Sequence, residues 1–151
     1  MNILTTEQAT YQCSLSAQEL RIGNWVYDGE RTQFPMQVVA IGKDWVHLDF
    51  PGNEGGVWEA DIKDLRGIRI TQELLEECGY KYSNECYGYK RLDKWKMMQF
   101  YEHESRLRVY YRGKHEELPG EVIYECHGVH HLHQLQNAYF MATCEELEIQ
   151  P

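Results

Sequence analysis

Residues 129–143 are the one stretch of this chain both long enough and periodic enough to make a full helix. Most of the remainder must therefore be built from short strands and turns. At 100° per residue Leu132, Leu135, Ala138, Tyr139 and Ala142 fall on one arc, the arc expected to face a sheet. A second, shorter helix is signalled over 71–79. Thr71 is an N-cap residue, Glu73 lies near the positive end of the dipole, and Leu74, Leu75 and Cys78 form an apolar stripe before the left-handed stop at Gly79.

Between 20 and 70 the rhythm is that of short strands, expected at 24–27, 36–41, 45–50, 57–59 and 68–70. Asp28-Gly29, Gly42-Lys43-Asp44 and the run 51–56 separate them with turn residues. Trp45, His47 and Asp49 alternate with Val46, Leu48 and Phe50, the pattern of a strand with one buried face. Five strands in so short a span predict a small SH3-like β-barrel, because a small sheet gains by curling and hiding its edges. A meander docked on the second half is the competing picture. Residues 1–19 read as a polar tail or an added strand, with one helical turn signalled by the capping-box pattern Ser16-Ala-Gln-Glu19.

Residues 80–127 read as antiparallel strands at 86–91, 95–102, 107–112 and 122–127. Facing Tyr110 with Ile123 places Arg108 opposite Glu125, Arg112 opposite Glu121 and Val109 opposite Tyr124, so that charges and apolar groups both sort. The expectation is an α+β protein: an SH3-like β-barrel module at 20–70, then an antiparallel sheet with two packed helices at 71–151.

Charge narrows the function. The 151 residues carry a net charge of −9, which opposes general affinity for nucleic acid. Residues 81–114 nevertheless hold nine Lys and Arg against four acids, while 115–151 hold seven Glu and no Lys or Arg. Such segregation suits internal pairing, or an acidic face offered to a basic partner. Five cysteines without a CxxC pair suit reduced thiols in a cytosol, and no secretory signal or membrane-length apolar run is visible, so a cytoplasmic protein is expected.

Four candidate sites follow. Cys126, His127, His130, His131 and His133, with Cys144 beyond, carry metal-ligating chemistry, but there is no HExxH and no zinc-finger spacing. Capping and surface histidines at a strand-to-helix junction are the commoner case, and no metal or cofactor is expected. Arg106, Arg108, Tyr110 and Arg112 share one strand face in a tyrosine-rich region, the chemistry of a sheet that stacks single-stranded RNA or DNA. The expected register ties two of those arginines to glutamates. GxSxG, P-loop and GxGxxG are absent, and a buried structural cysteine is commoner than a Cys126–His dyad, so no enzyme is expected. Lastly, His133, Asn137, Phe140 and Met141 lie off the apolar arc of the closing helix. With Glu116, Glu117, Glu145 and Glu146 they make the expected partner-binding set, unless the N-terminal module buries them.

His133-Gln-Leu-Gln-Asn137, Tyr139-Phe140, Thr143 and Glu145-Glu-Leu147 resemble the C-terminal signature of an uncharacterised family of small proteins from Bacteroidetes-type bacteria, their phages and mobile elements. That signature reads approximately H-Q-L-Q-N-L-Y-F-A-L-T-G-E-E-L. Leu20-Arg-Ile-Gly-Asn-Trp-Val26 and Ile70-Thr-Gln-Glu-Leu-Leu-Glu-Glu-Cys-Gly-Tyr80 are similar to its two upstream signatures, so the likeness spans about 20–147. Ala138, Met141-Ala142 and Cys144 depart from it, the last standing where a glycine C-cap is usual. The resemblance implies no enzyme activity or cofactor. It implies a phage- or element-encoded protein that binds and modulates a host protein, an anti-defence inhibitor such as an anti-CRISPR protein blocking an effector nuclease being one such role.

Overall fold

The structure, a computed structural model, describes residues 15–29, 34–84, 88–92, 96–111 and 121–151. They form an α+β protein with two antiparallel five-stranded sheets and two α-helices, divided into two compact units between Ile68 and Arg69.

The first unit contains β1 (Trp25–Asp28), β2 (Met36–Ile41), β3 (Trp45–Asp49), β4 (Trp58–Asp61) and β5 (Leu65–Gly67), in the order β4-β3-β2-β1-β5. Period-2 alternation sends Val26, Met36, Val38, Val46, Leu48 and Ala60 to one side, where Leu15, Leu20, Ile62 and Leu65 join them in the core. The sheet curls. Trp58 in β4 donates its indole N–H to buried Asp28 in β1 at 3.0 Å, although β3 and β2 lie between. In a flat sheet those strands would be about 14 Å apart. Among the described residues no ladder joins β4 to β5, so backbone pairing does not close a barrel.

Two local features explain the strand ends. Arg21–Asn24 is a tight turn in which the Asn24 N–H donates to the Arg21 carbonyl at 3.1 Å, and Gly23 takes φ +95°, a position glycine adopts without a Cβ penalty. Asn24 Oδ1 takes the Arg21 N–H in return at 2.8 Å, so a buried polar side chain is satisfied by its own turn. The fifth strand lies at Leu65–Gly67 and not at 68–70. A 3₁₀ turn, Ile62–Asp64, swings the chain back immediately after β4, so Leu65 pairs with Asp28 while Arg69 bridges His131 in the second unit. The 16–19 signal forms a 3₁₀ turn, Ala17–Glu19, with the Ser16 hydroxyl donating to the Glu19 carboxylate.

The second unit opens with α1 (Gln72–Glu77) and continues as the meander β6 (Lys81–Ser83), β7 (Gly88–Leu92), β8 (Lys96–Tyr101), β9 (Arg106–Tyr111) and β10 (Val122–Cys126), closing with α2 (Leu132–Thr143). The Thr71 hydroxyl accepts the Leu74 N–H at 3.2 Å. At the other end of α1 the Tyr80 N–H donates to Leu75 and the Gly79 N–H to Glu76, a Schellman stop with Gly79 at φ +85°. The stop delivers the chain directly into β6, a strand absent from the sequence reading because Lys81 and Tyr82 are both exposed.

The β9–β10 register matches expectation at Arg108–Glu125 and Val109–Tyr124, then departs. Tyr110 faces Val122, Ile123 is the extra residue of a bulge, and the Glu121 carbonyl accepts the Tyr111 N–H at 2.9 Å. The bulge moves Glu121 to Tyr111, and Arg112 lies outside the described residues.

Candidate functional site

The closing helix begins at Leu132, three residues later than its periodicity suggests. Residues 129–131 are claimed by extended pairing: the His130 carbonyl accepts from Ile70 at 3.2 Å, and the Val129 N–H donates to Ser105 at 2.8 Å. Gln134 Oε1 then accepts the N–H groups of both His130 and His131, at 2.9 and 3.0 Å, satisfying donors that helix geometry leaves open.

This start separates the histidines. His127 and His130 precede the helix, and Cys144 caps its far end, about 20 Å along the axis from His131. The His131 and His133 rings stack at 5.8 Å between centroids, yet no group of three metal-ligating residues forms among the described residues. The Cys126 thiol donates to the His127 carbonyl at 3.7 Å, a backbone contact and not a dyad with an imidazole. Cys78 has its pKa pushed up to about 12 by burial, against the pull of the Arg91 charge, and is held as an unreactive thiol.

Burial on α2 is broader than one apolar arc. Leu132, Leu135, Ala138 and Tyr139 are buried as expected, and so are His133 and Gln136, which widens the enclosed arc to about 220°. His133 is fully buried, which removes it from any partner-binding surface. Polarity suggests an outward histidine, but its place beside Gln136 on the wheel puts it inside the enclosed arc. Asn137 and Phe140 are half-buried, and Met141 is 68% exposed. Glu116 and Glu117 lie outside the described residues.

The C-terminal end of α2 is tied from two directions. Lys96 Nζ donates to the Ala142 carbonyl at 2.6 Å, placing a cation at the negative end of the dipole. Thr143 Oγ1 donates to the Tyr139 carbonyl at 2.8 Å and accepts the Glu145 N–H at 3.1 Å. Cys144 takes the left-handed conformation, φ 59°, where glycine would be unstrained. Beyond it Leu147 is 4% exposed, while Glu145, Glu146 and Glu148 are exposed. Leu147 thus anchors a segment on which Glu145, Glu146 and Glu148 are exposed, shortly after exposed Met141 in the chain.

The sheet face proposed for nucleic acid is committed internally. Glu125 Oε1 lies 3.1 Å from Arg106 Nη1 and 3.2 Å from Arg108 Nε, and Arg106 also pairs with Glu104. The Arg106 guanidinium sits 4.6 Å over the Tyr101 ring, with its side chain only 14% exposed. Tyr110 is buried, its hydroxyl 3.2 Å from that of Tyr101, which donates to Gln99. Loss of solvent would raise the Glu125 carboxyl, but hydrogen bonds from Arg108 and Arg106 outweigh it and hold the group below the usual carboxylate range. Hydrogen bonds to Tyr110 and Glu125 push the Arg108 guanidinium up.

The opposite face carries the helices. Arg91 Nη1 donates to the Cys78 carbonyl at 2.7 Å, and its guanidinium lies 5.0 Å over the Tyr139 ring, so one cation ties the sheet to the C-terminal end of α1 and to the body of α2. That link, invisible to any periodicity, explains one of the nine cations of the basic middle. Among the described residues no helix is long and apolar enough to cross a membrane. Comparison with protein-family models, curated proteins and solved structures finds no match.

Proposed function

We propose that this is a non-enzymatic protein-binding modulator whose C-terminal segment engages a basic surface on a host protein. The supporting observation is the anchored acidic segment: buried Leu147 and the Thr143 hydrogen bonds fix the path on which Glu145, Glu146 and Glu148 stand exposed, with Met141 exposed in the turn of helix before it. Because the segment is pre-ordered, less conformational entropy is lost on docking, and its carboxylates steer encounter with cations. In the setting implied by the family likeness, a phage- or element-encoded anti-defence inhibitor, anti-CRISPR proteins included, would use such carboxylates to occupy the basic nucleic-acid channel of a host enzyme. That setting makes the host cell cytoplasm the place of action.

The N-terminal unit is read as an SH3-like barrel, supported by its strand order, the 3₁₀ turn before β5 and the Trp58–Asp28 tie that curls it. The alternative of an RNA- or DNA-binding sheet face is disfavoured by the pairing of Arg106 and Arg108 with Glu125.

Affinity capture from host lysate tests the reading when the wild type is compared with a Glu145→Gln, Glu146→Gln, Glu148→Gln variant. The expected result is one protein partner recovered by the wild type, weakened at least about tenfold by the variant and further by moderate salt. Equal recovery by both proteins, or no specific partner, would overturn it. A nucleic-acid mobility shift abolished by Arg106→Glu and Arg108→Glu would favour the alternative.

A further inference from the structure

The outward face of the first sheet carries a surface that the C-terminal segment does not explain. In the β3–β4 register Trp45 faces Asp61 and His47 faces Glu59, on the side away from core residues Val46, Leu48 and Ala60. The Trp45 ring packs against His47 at 4.6 Å between centroids and lies over Gly42, where a Cβ would overlap the indole. The β2–β3 turn thus uses a glycine to seat the ring flat against the sheet, yet 39% of Trp45 stays in water.

Carboxylates surround it. Asp44 is exposed, and the side chains of Glu59 and Asp61 are 66% and 60% exposed. Glu59 lies 3.1 Å from His47 Nε2, and Lys63, 3.7 Å from Asp61, is itself 76% exposed and holds its partner weakly, while Lys43 beside Asp44 is exposed as well. A complementary ligand must cover an indole and neutralise carboxylates at once. A guanidinium does both, because it stacks on aromatic faces and forks onto carboxylate oxygens; an ammonium supplies the charge without the planar fork.

We infer that the outward β3–β4 face, Trp45 with Asp44, Glu59 and Asp61, docks an arginine-bearing segment of a partner protein. This site is on the first unit and does not depend on the acidic segment after α2.

The test titrates the full-length ¹⁵N-labelled protein with the peptide acetyl-(Gly-Arg)3-amide, and with its lysine counterpart. Saturable shifts are expected at the Trp45 indole N–H and at the amides of 44–47 and 59–61, with the arginine peptide binding several-fold more tightly than the lysine one. Glu59→Gln with Asp61→Asn changes only exposed side chains and should weaken binding about tenfold. Trp45→Leu should erase the preference for arginine while leaving weak, salt-sensitive binding. Shifts centred on 145–148, an affinity unchanged in the double variant, or equal affinity for both peptides would each overturn the inference. The first of these would instead assign the peptide to the C-terminal surface.

Discussion

The two sheets have the same number of strands and the same antiparallel pairing, and they solve burial differently. In the first unit β3 alternates, with Val46 and Leu48 buried and Trp45 and Asp49 exposed, and the sheet encloses its own core by curling. In the second unit β8 buries Met97, Met98, Gln99 and Phe100 in succession, so both of its faces are out of water, and α1 and α2 are tied to one of them through Arg91, Lys96 and Tyr80. The first sheet, which has no α-helix of its own among the described residues, closes by bending. One flanked by helices keeps an open meander and spends its polar residues on tethers.

The Trp58–Asp28 bond is the sharpest way to break that contrast. Trp58→Phe keeps the ring and removes the donor, leaving a buried Asp28 carboxylate without that bond, and should cost about 1–3 kcal/mol in chemical denaturation. An unchanged midpoint would mean that the curl does not rely on this tie. On the helical side, Cys144→Gly relieves a left-handed non-glycine residue and should stabilise by about 0.5–1 kcal/mol, read as a higher denaturation midpoint; a loss of stability would show the Cys144 side chain doing something that its exposure hides.

The smallest effect is expected at Glu125. Its pKa is lowered in the folded state, so its ion pairs contribute above the unfolded carboxylate pKa and are lost as pH falls through the folded value. Glu125→Gln should therefore lower stability slightly at neutral pH and flatten the acid limb of a stability–pH curve below about pH 4.3. A parallel displacement of the whole curve would place the effect elsewhere.

Much of the fold is legible in residue order. The caps of α1 at Thr71 and Gly79 are local chemistry, and four of the five strands in the first unit follow alternation and turn residues. Arg108–Glu125 and Val109–Tyr124 follow from sorting charge with charge and apolar with apolar. Beyond β6, which exposure hides, the misses share a cause. The Ile123 bulge, the β5 position and the late start of α2 each depend on a partner far along the chain: Tyr110, Asp28, and Ile70 with Ser105 respectively.

The candidate site divides in the same way. Glu145, Glu146 and Met141 stand exposed where composition and helical phase put them, whereas His133 is taken inside by enclosure that no local pattern announces. Capping, alternation and composition act over a few residues, so residue order alone carries most of the elements, the charge segregation and the acidic C-terminal stretch. Only the tertiary structure decided which polar groups face water. It pairs Arg106 and Arg108 with Glu125, spends Arg91 and Lys96 on helix carbonyls, and leaves Trp45 half in solvent. The reason is physical: burial and pairing depend on what lies across a sheet or beneath a helix, and those neighbours are distant in sequence.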